Sequence, residues 1–328
     1  MKSYLIAVVL LVCFSVVIIA QSSKETADTH VATAKAAARQ DHTSLFGLCT
    51  APEPPAPAAQ RGQQAAAQPQ GPPDRKQWHA EPAKVFDNLY FVGMTEYSSW
   101  AVNTSDGIIL IDAIFDYSIE DEVANGLPKV GLDPKKIKYV IVSHGHIDHA
   151  GGAKYLQDTF GARVIMSAAD WDLIAANNQA WPKPRRDIVA TDGQKLTLGD
   201  TTLTMYLTPG HTPGTISTLI PVKDRGVPHM VAEWGGTGFN FTLSPDRPQR
   251  YWFETYIKSA EHFRDAATKA GADALIANHT NLDGSTKKLP MLASRKAGDP
   301  NPYVIGKDGV RRYLTVAYEC AKAGLGRL

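Results

Sequence analysis

The feature that most constrains this chain is a run of six residues that contains three histidines and one aspartate. The run follows the apolar segment Tyr139–Val142, which predicts a strand that is buried on both faces. Residues two apart in an extended chain point the same way, so His144 and His146 can bind one metal ion. Asp148 and His149 follow where the chain turns into the next helix, and they face a second ion beside the first. The pattern therefore predicts a metal site where a buried strand ends.

The amino-acid composition decides which donor atoms such a site can use. Three cysteines among 328 residues are too few for a thiolate zinc cluster, so imidazole and carboxylate groups must hold the metal. These donors suit zinc, and a catalytic zinc needs three protein ligands and one water. Two later histidines can complete the ligand sets, because each is predicted to lie at the end of a strand. The sequence thus predicts two Zn²⁺ ions, with the metal ligands His144, His146, Asp148, His149, His211 and His279.

The order of the predicted elements indicates an α/β fold. Asp106-Gly107, flanked by apolar segments, predicts a β-hairpin. A helix with an apolar face follows, and it is expected to end at Pro128. Strands and helices then alternate, and further helices are predicted over about 250–270 and 309–323. We therefore expect two mixed sheets between helices, built into one domain.

The first 77 residues predict an export segment followed by an extension. Residues 1–20 contain Lys2 and then an unbroken apolar run, and polar sequence follows, as in a secretory signal peptide. An uncleaved N-terminal anchor is the alternative, since the run is barely long enough to span a bilayer. Residues 21–77 are expected to be a disordered extension rich in Pro, Ala and Gln. A folded domain is expected over 78–328, in a periplasmic or secreted protein.

Two cysteines remain once the signal peptide is removed, and the sequence leaves their state open. In an oxidising compartment Cys49 and Cys320 can form a disulfide that tethers the extension to the domain. Alternatively, Cys320 is a buried free thiol, because it falls on the apolar stripe of the last predicted helix.

The charge balance limits the classes of partner. With 34 basic and 33 acidic residues the net charge is +1, so no general field attracts nucleic acid or anionic lipid. We therefore expect a small-molecule substrate, no nucleic-acid partner, and no membrane partner after signal cleavage. The oligomeric state is left open.

Together these motifs resemble the metallo-β-lactamase superfamily over roughly residues 84–280. The shared features are the His-x-His-x-Asp-His run, the Thr-Pro-Gly-His-Thr-Pro-Gly turn, the late histidine, and an apolar strand that ends in Asp112. The resemblance implies an αββα sandwich with the zinc site along one edge. It also implies one ligand set of His144, His146 and His211, and another of Asp148, His149 and His279.

The resemblance includes the features of one subclass, but one segment of this chain departs from the family's pattern. No cysteine lies between the third and the last histidine ligand, which is similar to subclass B3. Relatives carry, after the third histidine, an aspartate that bridges the metals or a serine that holds the substrate carboxylate. This chain has Glu233 and Trp234 in that neighbourhood. Either Glu233 reaches the metals or Trp234 forms a wall of the pocket.

Three more residues are expected around the metal ligands. Asp112 is expected to accept a hydrogen bond and so to orient a ligand loop. Tyr97 and Trp100 follow the first predicted hairpin and are expected to flank the opening, although Trp100 suits the core equally well.

These observations predict an exported dinuclear zinc hydrolase. A hydroxide shared by the two zinc ions would attack a carbonyl carbon, and Asp148 would orient this nucleophile as a catalytic residue. The expected substrate is a cyclic amide, as for a subclass B3-like β-lactamase. The alternative is a lactonase or another ester or thioester hydrolase of the same superfamily. A diiron redox protein and a non-catalytic zinc-binding protein are alternatives of another class; diiron members carry glutamate where this chain has His146.

Overall fold

The structure, a computed structural model, describes residues 26–50 and 71–328. The predicted signal peptide and residues 21–25 and 51–70 of the predicted extension lie outside this range. Within the described residues, no helix is both long enough and apolar enough to cross a membrane.

Twelve strands of the described chain form two mixed sheets that pack face to face. The first sheet has the order β1 to β7, with antiparallel pairing from β1 to β4 and parallel pairing from β4 to β7. Its strands are Ala83–Lys84, Leu89–Phe91, Trp100–Thr104, Gly107–Ile111, Ile137–Ile141, Arg163–Ser167 and Ile188–Ala190.

The second sheet has the order β12-β11-β10-β9-β8, and only the pair β11–β12 is parallel. Its strands, β8 to β12, are Gln194–Leu198, Thr201–Leu207, Ile216–Asp224, Val227–Trp234 and Ala274–Ala277.

Helices cover the outer faces of both sheets. In chain order, α1 to α10 are residues 26–38, Thr43–Phe46, Arg75–Trp78, Gly126–Lys129, Ile147–Ala150, Ala153–Phe160, Ala168–Ala176, Gln249–Lys269, Ser285–Ala293 and Gly306–Gly326. Short 3₁₀ turns lie at Gly47–Cys49 and Pro134–Lys136, and a π turn at Glu120–Ala124. This is the αββα sandwich expected from the sequence, and the prediction of two mixed sheets between helices is confirmed.

Strand β4 shows why an unbroken apolar run suits this architecture. All five of its residues are buried. Ile109 and Ile111 face the core between the two sheets, whereas Ile108 and Leu110 face the helices on the outer side. Because successive side chains of a strand point to opposite faces, a strand with both faces covered needs apolar residues at every position.

The prediction that a helix ends at Pro128 is wrong. The chain forms a π turn and then α4, and Pro128 lies inside α4 instead of ending it. Pro128 is the third residue of this short helix, where a missing backbone N–H removes no intrahelical hydrogen bond. The predicted apolar face is nonetheless buried, since Ile119, Val123 and Leu127 are fully covered.

The N-terminal arm, residues 26–50, corrects the expectation of disorder for that part of the extension. Its residues 26–38 are helical, and Ala34, Ala38 and Leu45 are buried in the core formed with α8 and α10. Ala34 and Ala38 lie about one helical turn apart on one face and allow close helix packing, a pattern that composition alone does not reveal. Arg312 in α10 also donates to the carbonyl oxygen of Ala37 at 2.9 Å.

A disulfide joins the arm to the last helix. Cys49 and Cys320 are bonded, with their Cα atoms 4.4 Å apart, across a sequence separation of 271 residues. The structure therefore favours the paired form over the free thiol. His42 adds a second attachment, since its Nε2 lies 3.0 Å from the carbonyl oxygen of Gly309 and its ring packs edge-on against Tyr313.

Replacing Cys49 with serine is expected to lower the free energy of unfolding by about 2–5 kcal/mol, because the cross-link restricts a very long loop in the unfolded chain. Urea titration of the oxidised protein and of Cys49→Ser, at equal zinc concentration, measures the difference. Reductant should bring the wild type down to the variant and leave the variant unchanged. Equal midpoints for all four samples would contradict the expectation.

His42 is expected to make stability fall in mild acid. Burial lowers the pKa of His42 to about 4, whereas an unfolded histidine keeps a pKa near 6.5. This part of the stability is therefore complete above pH ~6.5 and is lost as the pH falls toward 4. Between pH 7 and pH 5 the loss is about 2 kcal/mol.

The matched comparison uses His42→Gln, which does not titrate and can still donate to Gly309. Unfolding free energies of both proteins at pH 7 and pH 5 isolate the histidine, since all other titrating groups are shared. If the wild type and His42→Gln lose equal stability over this interval, His42 is not the group responsible.

Candidate metal centre

The histidine run leaves the first sheet at the end of β5 and enters α5. His146 is the N-cap residue of α5, and Asp148 and His149 lie in its single turn. Gly152 lets this turn pack on the end of β4, because a Cβ atom there would overlap the carbonyl oxygen of Ala113 and the side chain of Ile119. A backbone hydrogen bond of 2.8 Å from Ala113 N to His149 O holds the same junction.

Three histidines form the first donor set. His211 Nε2 lies 3.1 Å from His144 Nε2 and 3.1 Å from His146 Nδ1. Metal–nitrogen bonds of about 2.0–2.1 Å in a tetrahedron place ligand atoms about 3.3–3.4 Å apart. The three nitrogens therefore have nearly the separation that a bound zinc ion requires, and the structure brings together residues 67 positions apart in the chain.

The second donor set lies directly beside the first. His149 Nε2 is 3.1 Å from Asp148 Oδ2 and 3.3 Å from His279 Nε2, and His279 Nε2 is 3.6 Å from the same carboxylate oxygen. The rings of His144 and His149 have centroids 4.3 Å apart, so the two sets adjoin. Imidazole and carboxylate donors in this arrangement fit zinc, and the six predicted ligands all lie in these two sets.

Hydrogen bonds on the far side of the rings orient the ligand atoms. His144 Nδ1 donates to the carbonyl oxygen of Gly235 at 2.8 Å, and His211 Nδ1 to that of Gly238 at 2.7 Å. Asn278 Nδ2 donates to the same Gly235 oxygen at 2.8 Å. With Nδ1 carrying the proton, Nε2 of each histidine keeps its lone pair for a metal.

Asp112 provides the corresponding acceptor for His149. Its Oδ2 lies 2.9 Å from His149 Nδ1, and its two oxygens also accept from Ser143 N at 2.7 Å and Ser143 Oγ at 2.9 Å. Asp112 has a φ of +65°, a left-handed conformation that aspartate tolerates better than most residues. The turn aims the carboxylate back at the loop that carries the ligands.

The protonation states of the histidines favour metal binding at most positions. Burial lowers the pKa of His144, of His211 to about 3 and of His279 to about 4, so these rings are neutral at neutral pH. Burial also opposes charge on His149, but the carboxylates of Asp148 and Asp112 outweigh it and raise the pKa of His149 to about 10. A metal ion must therefore displace a proton from His149 when it binds.

Glu233 and Trp234 lie away from the opening. Glu233 is fully buried between the sheets, and neither carboxyl oxygen has a hydrogen-bond partner among the described residues. Burial, together with the nearby Asp112, raises the pKa of Glu233 well above its usual value, so the group is neutral. It belongs to neither donor set.

Trp234, the next residue of β11, points to the opposite face. Its ring packs against Tyr256 and Phe263 in the core beneath the helices, and it has no solvent exposure. This placement corrects the expectation that Trp234 walls the pocket. The reason is the alternation of a strand, which turns neighbouring residues to opposite sides.

Aromatic side chains flank the second donor set. Tyr97 is paired with His279 through an isolated β-bridge, and their rings have centroids 5.1 Å apart. The half-buried Phe115 packs edge-on against Tyr97 at 4.9 Å and stacks on Tyr117 at 5.0 Å. Trp100, by contrast, is a core residue whose Nε1 donates to the carbonyl oxygen of Ala277.

Sequence reasoning missed Asp170, which contacts both ligand loops. Its Oδ2 accepts from Gly145 N at 2.8 Å and from Thr212 Oγ1 at 2.7 Å. Burial raises the pKa of Asp170 to about 6, and these hydrogen bonds oppose the rise. The only sequence signal is the spacing Ser167-x-x-Asp170 at the start of a helix, which also fits an ordinary helix N-cap.

Comparison with known proteins agrees with this site. A sequence profile described as the Metallo-beta-lactamase superfamily matches residues 93–225. An N-acyl homoserine lactonase from a Bacillus species is 32% identical over 126 residues, which cover 37% of this chain and 48% of the relative. A hydroxyacylglutathione hydrolase from Acidiphilium cryptum is 37% identical over 84 residues, covering 26% of this chain and 31% of the relative. The matches span less than half the length of these curated relatives.

Solved structures are similar over most of the domain. A subclass B3 metallo-β-lactamase of Bradyrhizobium japonicum has a TM-score of 0.61 and 27% identity, covering 71% of this chain and 89% of that one. A metallo-β-lactamase from Cronobacter sakazakii has a TM-score of 0.60 and 29% identity, covering 73% and 91%. The fold, the two donor sets and these similarities agree with one another, and together they support the assignment of the chain to the metallo-β-lactamase superfamily.

Proposed function

We propose that this protein is an exported dinuclear zinc hydrolase that opens cyclic amides, in the manner of a subclass B3 β-lactamase. The observation that carries the proposal is the pair of adjoining donor sets, each with three ligand atoms at separations near those of a tetrahedral zinc site. Zinc fits these donors because every one is an imidazole nitrogen or a carboxylate oxygen.

The chemistry that two zinc ions supply, when bound, is a lowered pKa for water and the polarisation of a carbonyl oxygen. The chain itself fixes the geometry. Asp148 is the acidic ligand and is partly exposed at the opening. Burial opposes its charge, but His149 and the neighbouring histidines hold the pKa of Asp148 well below its usual value. Asp148 is therefore an anion at neutral pH, able to accept a hydrogen bond from the attacking water and so to orient it.

A lactonase is the second candidate, and one observation favours it. The segment that matches the Bacillus N-acyl homoserine lactonase is 32% identical, above the 27% and 29% found for the two β-lactamase structures. Those structural similarities, however, cover 71% and 73% of this chain, against 37% for the lactonase match. Because the longer correspondence is with β-lactamases, it supports our proposal of a cyclic amide as the substrate. In either case the partner is a small molecule.

Export is supported by the disulfide between Cys49 and Cys320, since such bonds persist in oxidising compartments. It agrees with the signal peptide expected from residues 1–20. We therefore place the protein in the periplasm or outside the cell.

The zinc-loaded protein is expected to hydrolyse a chromogenic cephalosporin, and a zinc chelator should abolish the activity. Turnover of an N-acyl homoserine lactone is measured in parallel, and elemental analysis counts zinc and iron. If two zinc ions are bound and only the lactone is hydrolysed, the lactonase proposal replaces the β-lactamase proposal. Two iron ions would favour a redox protein, and bound zinc without turnover of any ester or amide would favour a non-catalytic zinc-binding protein.

Asp112→Asn is expected to weaken zinc binding by about 10–100-fold. Asparagine tolerates the left-handed backbone, but its single acceptor oxygen cannot serve the three groups that donate to Asp112. Competition with a chromogenic chelator measures the affinity. The matched control is Asp106→Asn, an exposed aspartate in the β3–β4 turn. Unchanged affinity in Asp112→Asn would contradict the role assigned to this carboxylate.

A further inference from the structure

The first donor set is assembled from both halves of the sandwich. His144 and His146 follow β5 of the first sheet, whereas His211 lies in the turn between β9 and β10 of the second. A zinc ion bound by these three residues therefore depends on how the two halves are held relative to one another. A contact that spans both ligand loops would set that relation directly.

Asp170 makes such a contact with a single oxygen atom. Its Oδ2 accepts the backbone N–H of Gly145, the residue between two ligands, at 2.8 Å. The same oxygen accepts the hydroxyl of Thr212, the residue after the third ligand, at 2.7 Å. Among the described residues, no other side-chain carboxylate forms hydrogen bonds to both of these loops.

The position of Asp170 is itself tightly fixed. It lies in the first turn of α7, where its backbone N–H donates to the N-cap oxygen Ser167 Oγ at 3.2 Å. The turn after His211 packs directly on this helix start, since a Cβ atom on Gly214 would overlap Ser167 Oγ and lie 2.8 Å from Asp170 N. Asp170 has only 1% of its surface exposed, so solvent does not compete for its carboxylate.

We propose that Asp170 is a positioning residue that sets the separation of the three histidines in the first donor set, and thereby the zinc affinity and reactivity of that site. The inference rests on the proposed zinc hydrolase function. Asp170 acts through its hydrogen bonds to the backbone of Gly145 and the side chain of Thr212. Displacements of about 1 Å at a catalytic centre can cost on the order of 100-fold in rate.

In this proposal, Asp170 sets the separation of the three histidines through its hydrogen bonds and not through its charge. The second carboxyl oxygen, Oδ1, lies beside Gly214, whose backbone N–H favours the ionised form of Asp170. An asparagine can present its amide oxygen where Oδ2 lies and keep the hydrogen bonds from Gly145 and Thr212. An alanine removes both. The two substitutions separate the geometric role of Asp170 from a purely electrostatic one.

The test compares Asp170→Ala, Asp170→Asn and the control Asp172→Ala in the full-length protein. Asp172 lies two residues further along α7, and its exposed side chain pairs with Arg186 on the surface. The readouts are zinc affinity by competition with a chromogenic chelator, the visible spectrum of the cobalt(II)-substituted protein, and kcat and KM for the substrate that the wild type turns over.

Asp170→Ala is expected to lose about 10–100-fold in affinity at one of the two sites, to change the cobalt(II) spectrum, and to lower kcat more than it raises KM. Asp170→Asn should restore most of the affinity and the wild-type spectrum, and Asp172→Ala should match the wild type. A wild-type spectrum and affinity in Asp170→Ala would overturn the proposal. Equal losses in Asp170→Asn and Asp170→Ala would also overturn it, because charge would then be the cause.

If Asp170→Ala does not fold, Thr212→Val removes one of the two hydrogen bonds and leaves the carboxylate in place, with Thr212→Ser as the hydroxyl-retaining comparison. A smaller loss in the same direction supports the proposal, and no difference between Thr212→Val and Thr212→Ser overturns it.

The measurements of metal affinity and of the cobalt(II) spectrum need no substrate. If the wild type binds zinc but hydrolyses nothing, the hydrolase proposal is refuted, and the zinc affinities of the variants still test the role of Asp170. If the wild type binds no metal, both proposals are refuted.

Discussion

The hydrogen bonds on the side of each ring that faces away from the metal determine whether this centre can exist. Six donor groups lie within a few ångströms of one another, and a neutral imidazole can carry its proton on either ring nitrogen. The carbonyl oxygens of Gly235 and Gly238 and the carboxylate of Asp112 each accept the Nδ1 proton of one histidine. Tautomer and ring direction follow from these three bonds. The strands matter to the site mainly because they deliver the three acceptors to fixed places.

Local spacing explains what the sequence could predict. The candidate ligands in the histidine run lie close together in the chain, and the two later histidines lie next to recognisable strands, so all six candidates could be proposed before the fold was known. Their division into two sets came from the family resemblance. Asp170 could not, because its partners are 25 and 42 residues away and one of them is a backbone N–H. Nothing in the residue type of Gly145 shows that it needs an acceptor.

The fold, too, could be predicted where it depends on local sequence and not where it depends on residues distant in the chain. Strand β4 was recognisable as one strand of a hairpin, because an apolar run follows Asp106-Gly107 directly. The arm at 26–50 was expected to be disordered, because its alanines contribute little apolar surface each and their value depends on the partner helices α8 and α10. The prediction that Trp234 forms a wall of the pocket was wrong. The alternation of a strand puts neighbouring residues on opposite faces, but it does not show which face is nearer to the metal site. Glu233, the neighbour of Trp234, faces the inner core as a neutral acid, and so lies outside both donor sets.

The disulfide between Cys49 and Cys320 has a mechanical consequence. All six proposed metal ligands lie between these two cysteines, so the bond closes the chain around the proposed centre. A pulling force applied to the two ends of the chain would pass from Cys49 to Cys320 through the sulfur atoms and bypass the sheets. With the bond reduced, the same force would be carried by the strands themselves, and the loops that hold the histidines would be stretched apart. In the oxidised protein the metal centre is thus shielded from tension at the termini.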